Sequence, residues 1–257
     1  MPSLEGKRAL VLGVANERSI AWGITRKLAA EGASVALTYL GDSLEKRVRP
    51  LAEKIGADLV LPCDATQDDQ IQAMYQEIDA KWGGLDILVH AIAFADREDL
   101  TGRFVDTSRE GFRLALDVSA YSLVALSRGA HPLMTSAGGG SIITLTFDGS
   151  QRVFPNYNVM GVAKAALESA TRYLAADLGA DNIRVNAVSP GPIKTLSAAG
   201  IRNFRDMLKM SESRAPLGRN ISSEDVAELC ALLAGDGGGG ITGQVLKVDA
   251  GLSILGV

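Results

Sequence analysis

A doubly wound α/β fold, with one parallel sheet covered by helices on both faces, is what this sequence predicts. Three observations predict it. Short β-rich apolar runs alternate with longer runs of helical period along the chain. The strand-like runs are apolar at successive positions, as strands buried on both faces are. The third is continuity. The 257 residues are 47% hydrophobic with 28 glycines and only 8 prolines, and no Pro/Ser-rich linker, low-complexity run or internal repeat divides them. A single domain over 1–257 follows.

The elements read in order. Arg8–Leu12 is the first strand. Ile20, Ile24 and Leu28 then recur at helical spacing up to a glycine stop at Gly32. Ala33–Tyr39 is the second strand and Leu44–Ile55 a charged helix. Leu59–Leu61, a helix over Gln70–Trp82 and a strand over Leu85–Ala91 follow. One long helix is expected over Arg109–Leu133, then a strand at Ser141–Leu145 and a helix at Tyr157–Leu178. Ile183–Val188, a helix at Ser223–Leu233 and Val245–Val248 complete seven strands. The short glycine patch Gly237–Gly240 reads as a loop. Ligands of such a sheet sit outside the carboxyl ends of its strands, so candidate residues are sought there.

Bulk properties exclude several classes. The net charge is −4 with both signs dispersed, which argues against a nucleic-acid-binding face. Cys63 and Cys230 stand apart without CxxC spacing, so neither a disulfide scaffold nor a zinc site is expected and a reducing compartment is the default. Two histidines far apart give a metal site or histidine triad little to work with. No secretory leader and no apolar run of about 20 residues is evident. A cytoplasmic protein without membrane or metal is the expectation.

Gly13-Val14-Ala15-Asn16-Glu17-Arg18-Ser19-Ile20 joins the first strand to the first helix. Gly13 lets the chain turn, and Ser19 is placed to cap the helix and to donate to a phosphate. The spacing is not G-x-G-x-x-G, and a capped strand-to-helix turn accounts for it equally well. Asp64 ends the third strand where an adenine amino group would pass, and serves equally as a solvated acid or cap. Ala91–Phe94 offers small residues where a ribose or nicotinamide would pass. His90 lies inside an apolar strand and reads as a hydrogen-bonded core histidine; His131 ends a helix and reads as a dipole partner. At the end of the second strand Tyr39-Leu40-Gly41-Asp42-Ser43 carries no cation, and Asp42 repels a 2′-phosphate. NADH is favoured over NADPH there, with Lys46 and Arg47 close downstream.

Tyr157 and Lys164 are seven residues apart in a helical run. Seven residues is about two turns, so both side chains share a face. A lysine cation beside a phenol favours the phenolate, and the pair is suited to proton delivery to a forming oxyanion.

The run Pro155-Asn156-Tyr157-Asn158-Val159-Met160-Gly161-Val162-Ala163-Lys164-Ala165-Ala166-Leu167-Glu168 closely resembles the active-site helix of bacterial enoyl-acyl carrier protein reductases, a divergent branch of the short-chain dehydrogenase/reductase superfamily. Gly13–Ile20 resembles that family's cofactor loop, and Arg184–Thr195 its stretch into the substrate lid. The likeness extends from Leu4 to Gly256. Ketone-reducing relatives place lysine four residues after the tyrosine, where this chain has Gly161.

The resemblance implies a Rossmann-type NADH enzyme reducing enoyl thioesters carried on acyl carrier protein. Tyr157 would stabilise the enolate oxygen and Lys164 would hold the nicotinamide ribose. Gly13, Ser19, Ile20, Asp64, Ala65, Ile92, Lys164, Ile193 and Thr195 would line the NADH/NAD site. Phe94, Ala95, Phe147, Met160, Ser197, Ile201 and Phe204 would enclose the acyl chain. A helical lid is expected at about 195–210, with Leu196, Ile201, Phe204 and Leu208 as its apolar face, although a helix simply packed on the core has the same pattern. Arg202 and Arg205 would meet phosphopantetheine or an acidic carrier, or are solvated helix charges. A homotetramer built partly on the 109–133 and 157–178 helices is also implied.

Three positions depart from the family pattern. Phe147 stands ten residues before Tyr157, where a second tyrosine is usual. Leu40 replaces a glutamine, and Asp249-Ala250-Gly251 replaces Asp-Gly-Gly. A 3-oxoacyl or ketone reductase, and a non-catalytic dinucleotide-binding paralogue, are the rival readings.

Overall fold

The computed structural model describes residues 4–195 and 204–255. Seven strands form one parallel sheet in the order β3-β2-β1-β4-β5-β6-β7. They are β1 Arg8–Leu12, β2 Ser34–Tyr39, β3 Leu59–Pro62, β4 Ile87–His90, β5 Gly140–Leu145, β6 Ile183–Pro190 and β7 Val245–Val248. The doubly wound parallel sheet expected from the apolar strand runs is thus present. The strand order reverses between β1 and β4, and their register pairs Leu12 with His90. The next residues on the two strands, Gly13 and Ala91, therefore meet at the switch point where this class of sheet binds ligands.

Alternation along β1 explains why two helical layers are needed. Ala9 and Val11 enter one core with Ile24 and Leu28 of α1 (Ile20–Ala30), Val48 and Leu51 of α2 (Gly41–Ile55) and Val226 and Cys230 of α9 (Ser223–Ala234). Leu10 and Leu12 enter the other with Ile71 and Ile78 of α3 (Asp68–Trp82), Leu123 and Leu126 of α6 (Ser122–Ser136) and Leu167 of α7 (Asn158–Leu178). Each such fully buried aliphatic side chain contributes about 1.5–3 kcal/mol of transfer free energy.

α4 (Arg97–Leu100) lies outside the predicted set, whereas α5 (Arg109–Leu116) falls within the helix expected over 109–133 and α8 (Phe204–Arg214) overlaps the helical lid expected at about 195–210. The single helix expected over 109–133 is divided: a π-helical turn at Asp117–Tyr121 separates α5 from α6. Three hydrogen bonds from two serines account for the break. The Ser122 hydroxyl donates to the Val118 carbonyl at 2.6 Å. Ser119, fully buried, accepts from the Phe94 amide at 2.9 Å and donates to the Phe94 carbonyl at 3.0 Å. A π-turn is what lets a helical serine reach sideways to another loop. The Arg97–Leu100 turn is too short to carry a readable period.

Ala250 explains one family departure in physical terms. Its φ is +56°, in the left-handed region, and it is buried. A glycine occupies that region without the roughly 1–2 kcal/mol that a Cβ costs. Ala250→Gly is therefore expected to raise Tm by about 2–4 °C per kcal/mol recovered in a chain of this size, measured by thermal melting.

Candidate active site

The carboxyl edge of β5 leads into a loop that closes on the start of α7. Tyr157 occupies the N-cap position of α7 with φ −115° and ψ −23°, so the helix begins one residue later than predicted. Its neighbours Asn156 and Asn158 both have positive φ, at +61° and +25°, and such strain concentrates at functional turns. The Tyr157 ring is half-buried and lies 5.1 Å, edge to face, from Phe147, which is 4.9 Å from Phe154. Phe147 and Phe154 make the surroundings of the ring apolar, and Met160, in the first turn of α7, is buried. Phe147 carries no hydroxyl, so Tyr157 is the phenol available at this end of α7.

Lys164, two turns on, is buried at 6% exposure, and its Nζ donates to the Leu145 carbonyl at 2.7 Å. Burial brings its pKa down to about 8, against an opposing pull from the Glu168 charge. Burial raises the Tyr157 phenol well above its ordinary range, and the Glu168 charge raises it further. The expectation that Lys164 favours a Tyr157 phenolate is corrected here. The dominant forces on the phenol are desolvation and a nearby carboxylate, both of which keep its proton on. Tyr157 is a neutral O–H donor, which is the form an oxyanion needs.

His90 is wholly buried between the Thr144 hydroxyl, 2.8 Å from Nδ1, and the Ser122 hydroxyl, 2.8 Å from Nε2. Ser122 spends its single proton on Val118, so Nε2 carries the imidazole proton and Nδ1 accepts from Thr144. Burial, then the Lys164 charge, lowers its pKa to about 3. It is a neutral core histidine, as its apolar strand suggested. His131 differs from expectation. It lies inside α6, and its Nε2 is 2.8 Å from the Asp181 carboxylate, so its partner is a side chain rather than the helix terminus.

Around the switch point, Gly13 has φ +102°, and a Cβ there would sit 2.1 Å from the Ala91 carbonyl oxygen. Two loops thus approach so closely that only glycine fits, leaving backbone exposed above them. Ser19 is the N-cap of α1, but its side chain makes no cap bond; its hydroxyl donates to the Asn16 carbonyl at 2.7 Å. The capping role is thereby corrected. The consequence favours an anion, because among the described residues the Ser19 side chain leaves the first turn of α1 uncapped and no acid lies in that turn. The nearest acid, Glu17, is ion-paired with Lys54. A cleft of about 400 Å³ opens beside this turn, lined by Glu17, Arg18, Ile193, Lys194, Leu208 and Asn220. A dinucleotide pyrophosphate fits this cradle by charge and by the missing Cβ.

The remaining candidates are distributed along the same edge. Asp64 lies in the loop after β3, where its Oδ1 accepts from the Thr66 amide at 3.0 Å and the Thr66 hydroxyl at 2.8 Å. Ala65 and Ile92 are half-buried against one core and Ile193 against the other. Phe94 is half exposed, and Ala95 half-buried. Thr195 is half-buried and ends the first described stretch. Ser197, Ile201 and the Phe204 side chain lie outside the described residues, with 196–203 of the expected lid; the lid's later part is the start of α8. At the end of β2 the Arg49 guanidinium stacks over the Tyr39 ring at 5.6 Å and bonds Glu45 at 2.7 Å. Asp42 and Leu40 are exposed beside it. The sequence reading weighed Lys46 and Arg47 but missed Arg49, which a helical turn of α2 returns to the strand end. It also missed Ser119, Thr146 and Ser150, which belong to no motif, and it quoted Glu168 at the end of the active-site run without assigning it a role.

A profile described as enoyl-(acyl carrier protein) reductase matches residues 13–253. The chain belongs to this family. Among its relatives in the family, an enoyl-(acyl-carrier-protein) reductase (NADH), FabI, of Nostoc sp. is 54% identical over 260 aligned residues covering 100% of each chain. An enoyl-(acyl-carrier-protein) reductase (NADH) of Rhizobium meliloti is 51% identical, covering 99% of this chain and 93% of the relative. The structure of the Bacillus cereus enoyl-acyl carrier protein reductase with NADP+ and an indole naphthyridinone matches with TM-score 0.97 and 50% identity, covering 100% of both chains. That of the Anaplasma phagocytophilum reductase in complex with NAD matches with TM-score 0.95 and 45% identity, over 100% of this chain and 98% of that one. As an enoyl reductase family member this chain combines the seven-residue Tyr157–Lys164 spacing with a phenylalanine at 147.

Among the described residues no group of three or more His, Cys, Asp or Glu is placed to hold a metal, and no helix is long and apolar enough to cross a membrane. Burial pushes the Cys63 thiol up to about 11 and the Cys230 thiol up to about 12, which makes both poor nucleophiles.

Proposed function

We propose that this chain is an NADH-dependent enoyl-acyl carrier protein reductase, reducing the trans-2 double bond of enoyl thioesters in fatty-acid elongation. What supports the reading most is the pairing of a neutral, half-buried Tyr157 with a buried Lys164 on one helix start, at the sheet edge that also carries the Gly13 cradle. Bound NADH supplies a hydride to the β-carbon. The chain's residues do the rest. Gly13 and the open first turn of α1 hold the pyrophosphate, with Ser19, Ile20, Asp64, Ala65, Ile92, Ile193 and Thr195 along the nucleotide. Lys164 holds the ribose hydroxyls. Phe94, Ala95, Phe147 and Met160 exclude water from the acyl chain. Tyr157 donates its O–H to the thioester carbonyl as negative charge gathers there, and the α-carbon is then protonated. The chain works as one domain over 1–257, in the cytoplasm, with acyl carrier protein as its partner and as a homotetramer. Sedimentation tests the assembly.

The reaction is checked by NADH absorbance. Consumption is expected with a trans-2-enoyl thioester, faster with NADH than with NADPH, and not with a 3-oxoacyl thioester. Turnover on the 3-oxoacyl compound alone would sink the proposal.

The titration of Lys164 gives a pH expectation. Its folded pKa is about 8. Below that value the amine is cationic and holds its partners. Activity is therefore expected to be flat near neutrality and to fall as pH rises through about 8. A kcat/KM profile that stayed level to about pH 10 would contradict it.

A further inference from the structure

Glu168 lies one turn beyond Lys164 on α7, buried at 6% exposure. One of its oxygens accepts from the Thr146 hydroxyl at 2.7 Å and from the Ser150 hydroxyl at 2.6 Å. Among the described residues no hydrogen bond or ion pair joins it to Tyr157 or Lys164. Burying a carboxylate is costly unless bonds compensate it, and here two come from one short loop.

That loop is the one against Tyr157. Thr146 and Ser150 bracket Phe147, Asp148 and Gly149. A Cβ on Gly149 would lie 2.6 Å from the Tyr157 ring, and a Cβ on Gly161 would lie 2.8 Å from the Gly149 carbonyl oxygen. Phe147 meets the same ring. The loop's other charge is held separately: Asp148 accepts from Lys247 at 2.9 Å and from Arg152 at 2.5 Å. The middle of the loop thus sets the Tyr157 ring, and its two ends hang on one carboxylate of the helix that carries Lys164.

We propose that Glu168 is a positioning residue for the reduction, latching the Thr146–Ser150 loop so that it fixes the Tyr157 ring, and placing a buried negative charge one turn from Lys164. This rests on the function proposed above. The charge acts on both partners in one sense. It favours the protonated amine of Lys164 and the protonated phenol of Tyr157. Other titratable groups on the packed elements are His90 on β4, neutral as argued, Asp148, doubly ion-paired, and Asp117 in the π-turn. On α4 the Asp99 carboxylate accepts from the Ser108 amide at 2.7 Å, and on α5 Glu110 pairs with Arg113 at 3.5 Å. Glu168 is the carboxylate acting on the Tyr157 and Lys164 titrations.

Two variants separate charge from latch. Glu168→Gln keeps an oxygen for both hydroxyls and removes the charge. The alkaline limb of kcat/KM is expected to move down by about one pH unit, roughly a tenfold loss above the limb and little below it. The pH dependence of the NADH dissociation constant, read by fluorescence titration, should shift with it. Thr146→Val combined with Ser150→Ala keeps the charge and removes the latch. There kcat is expected to fall about fivefold to tenfold, within the range of lost positioning, with KM for NADH and the alkaline limb unmoved. An unmoved limb in Glu168→Gln, or an equal loss at every pH, overturns the charge role. An unchanged kcat in the double variant overturns the latch, and that variant decides the matter if Glu168→Gln does not fold. Wild-type enzyme that binds NADH but reduces no enoyl thioester would sink the function instead. The fluorescence titration still reads Glu168 in that case.

Discussion

Tyr157→Phe is expected to lower kcat on an enoyl thioester by roughly 10²-fold to 10³-fold, the loss that follows removal of one oxyanion donor. The substitution deletes a hydroxyl and nothing else. The ring keeps its edge contact with Phe147 and its seat against Gly149, so melting temperature should hold. NADH affinity should hold as well, because Lys164 makes its bond to the Leu145 carbonyl independently of the phenol. In a relative with two tyrosines here, the second phenol would mask part of the loss. Phe147 offers no such substitute. The measurement is steady-state NADH oxidation with a saturating trans-2-enoyl thioester beside an NADH binding titration. A drop in kcat of less than about tenfold, under 1.4 kcal/mol of barrier, would remove Tyr157 from its role.

Gly13→Ala carries the second large effect, and it acts through the fold. The added Cβ would stand 2.1 Å from the Ala91 carbonyl oxygen and 2.6 Å from its carbonyl carbon. Both are backbone atoms at the end of β4, so no rotamer change relieves the clash. Relief requires β1 and β4 to part at the switch point, or the turn to leave its positive φ. Overpacking plus backbone strain of this kind costs about 3 kcal/mol or more, equivalent to roughly 6–12 °C in Tm at this chain length. The displaced turn also carries the start of α1, so NADH affinity is expected to fall together with Tm. A variant that melted and bound NADH like the parent would show that Gly13 is not the floor of the cradle.

The fold was legible because its signal is carried by many residues at once. Doubly buried strands such as Ala9-Leu10-Val11-Leu12 must be apolar on both faces, and that pattern survives any local detail. Where one or two side chains decide, the sequence was silent. The π-turn follows from Ser119 reaching Phe94, a contact between residues 25 apart in the chain. Arg49 returns to Tyr39 only through the turn of α2. The candidate site was legible at Tyr157, Lys164 and Gly13 because the chemistry proposed for them needs those residue types at fixed spacing. Its electrostatics were not. The sequence sets Lys164 beside Tyr157 as the dominant influence, but burial and Glu168 govern the phenol in the folded chain. Desolvation depends on everything packed around a group, and no local motif encodes it. Ser19 teaches the same lesson: the residue type suits a cap, yet its hydroxyl turns back to Asn16.

A crystal structure of the protein with NAD and an unreactive enoyl thioester analogue bears most directly on the central claim. The Tyr157 hydroxyl is expected about 2.6–3.2 Å from the thioester carbonyl oxygen, with Lys164 on the same side, against the nicotinamide ribose. A bound nucleotide lying away from Gly13, or a carbonyl oxygen held by groups other than Tyr157, would contradict it.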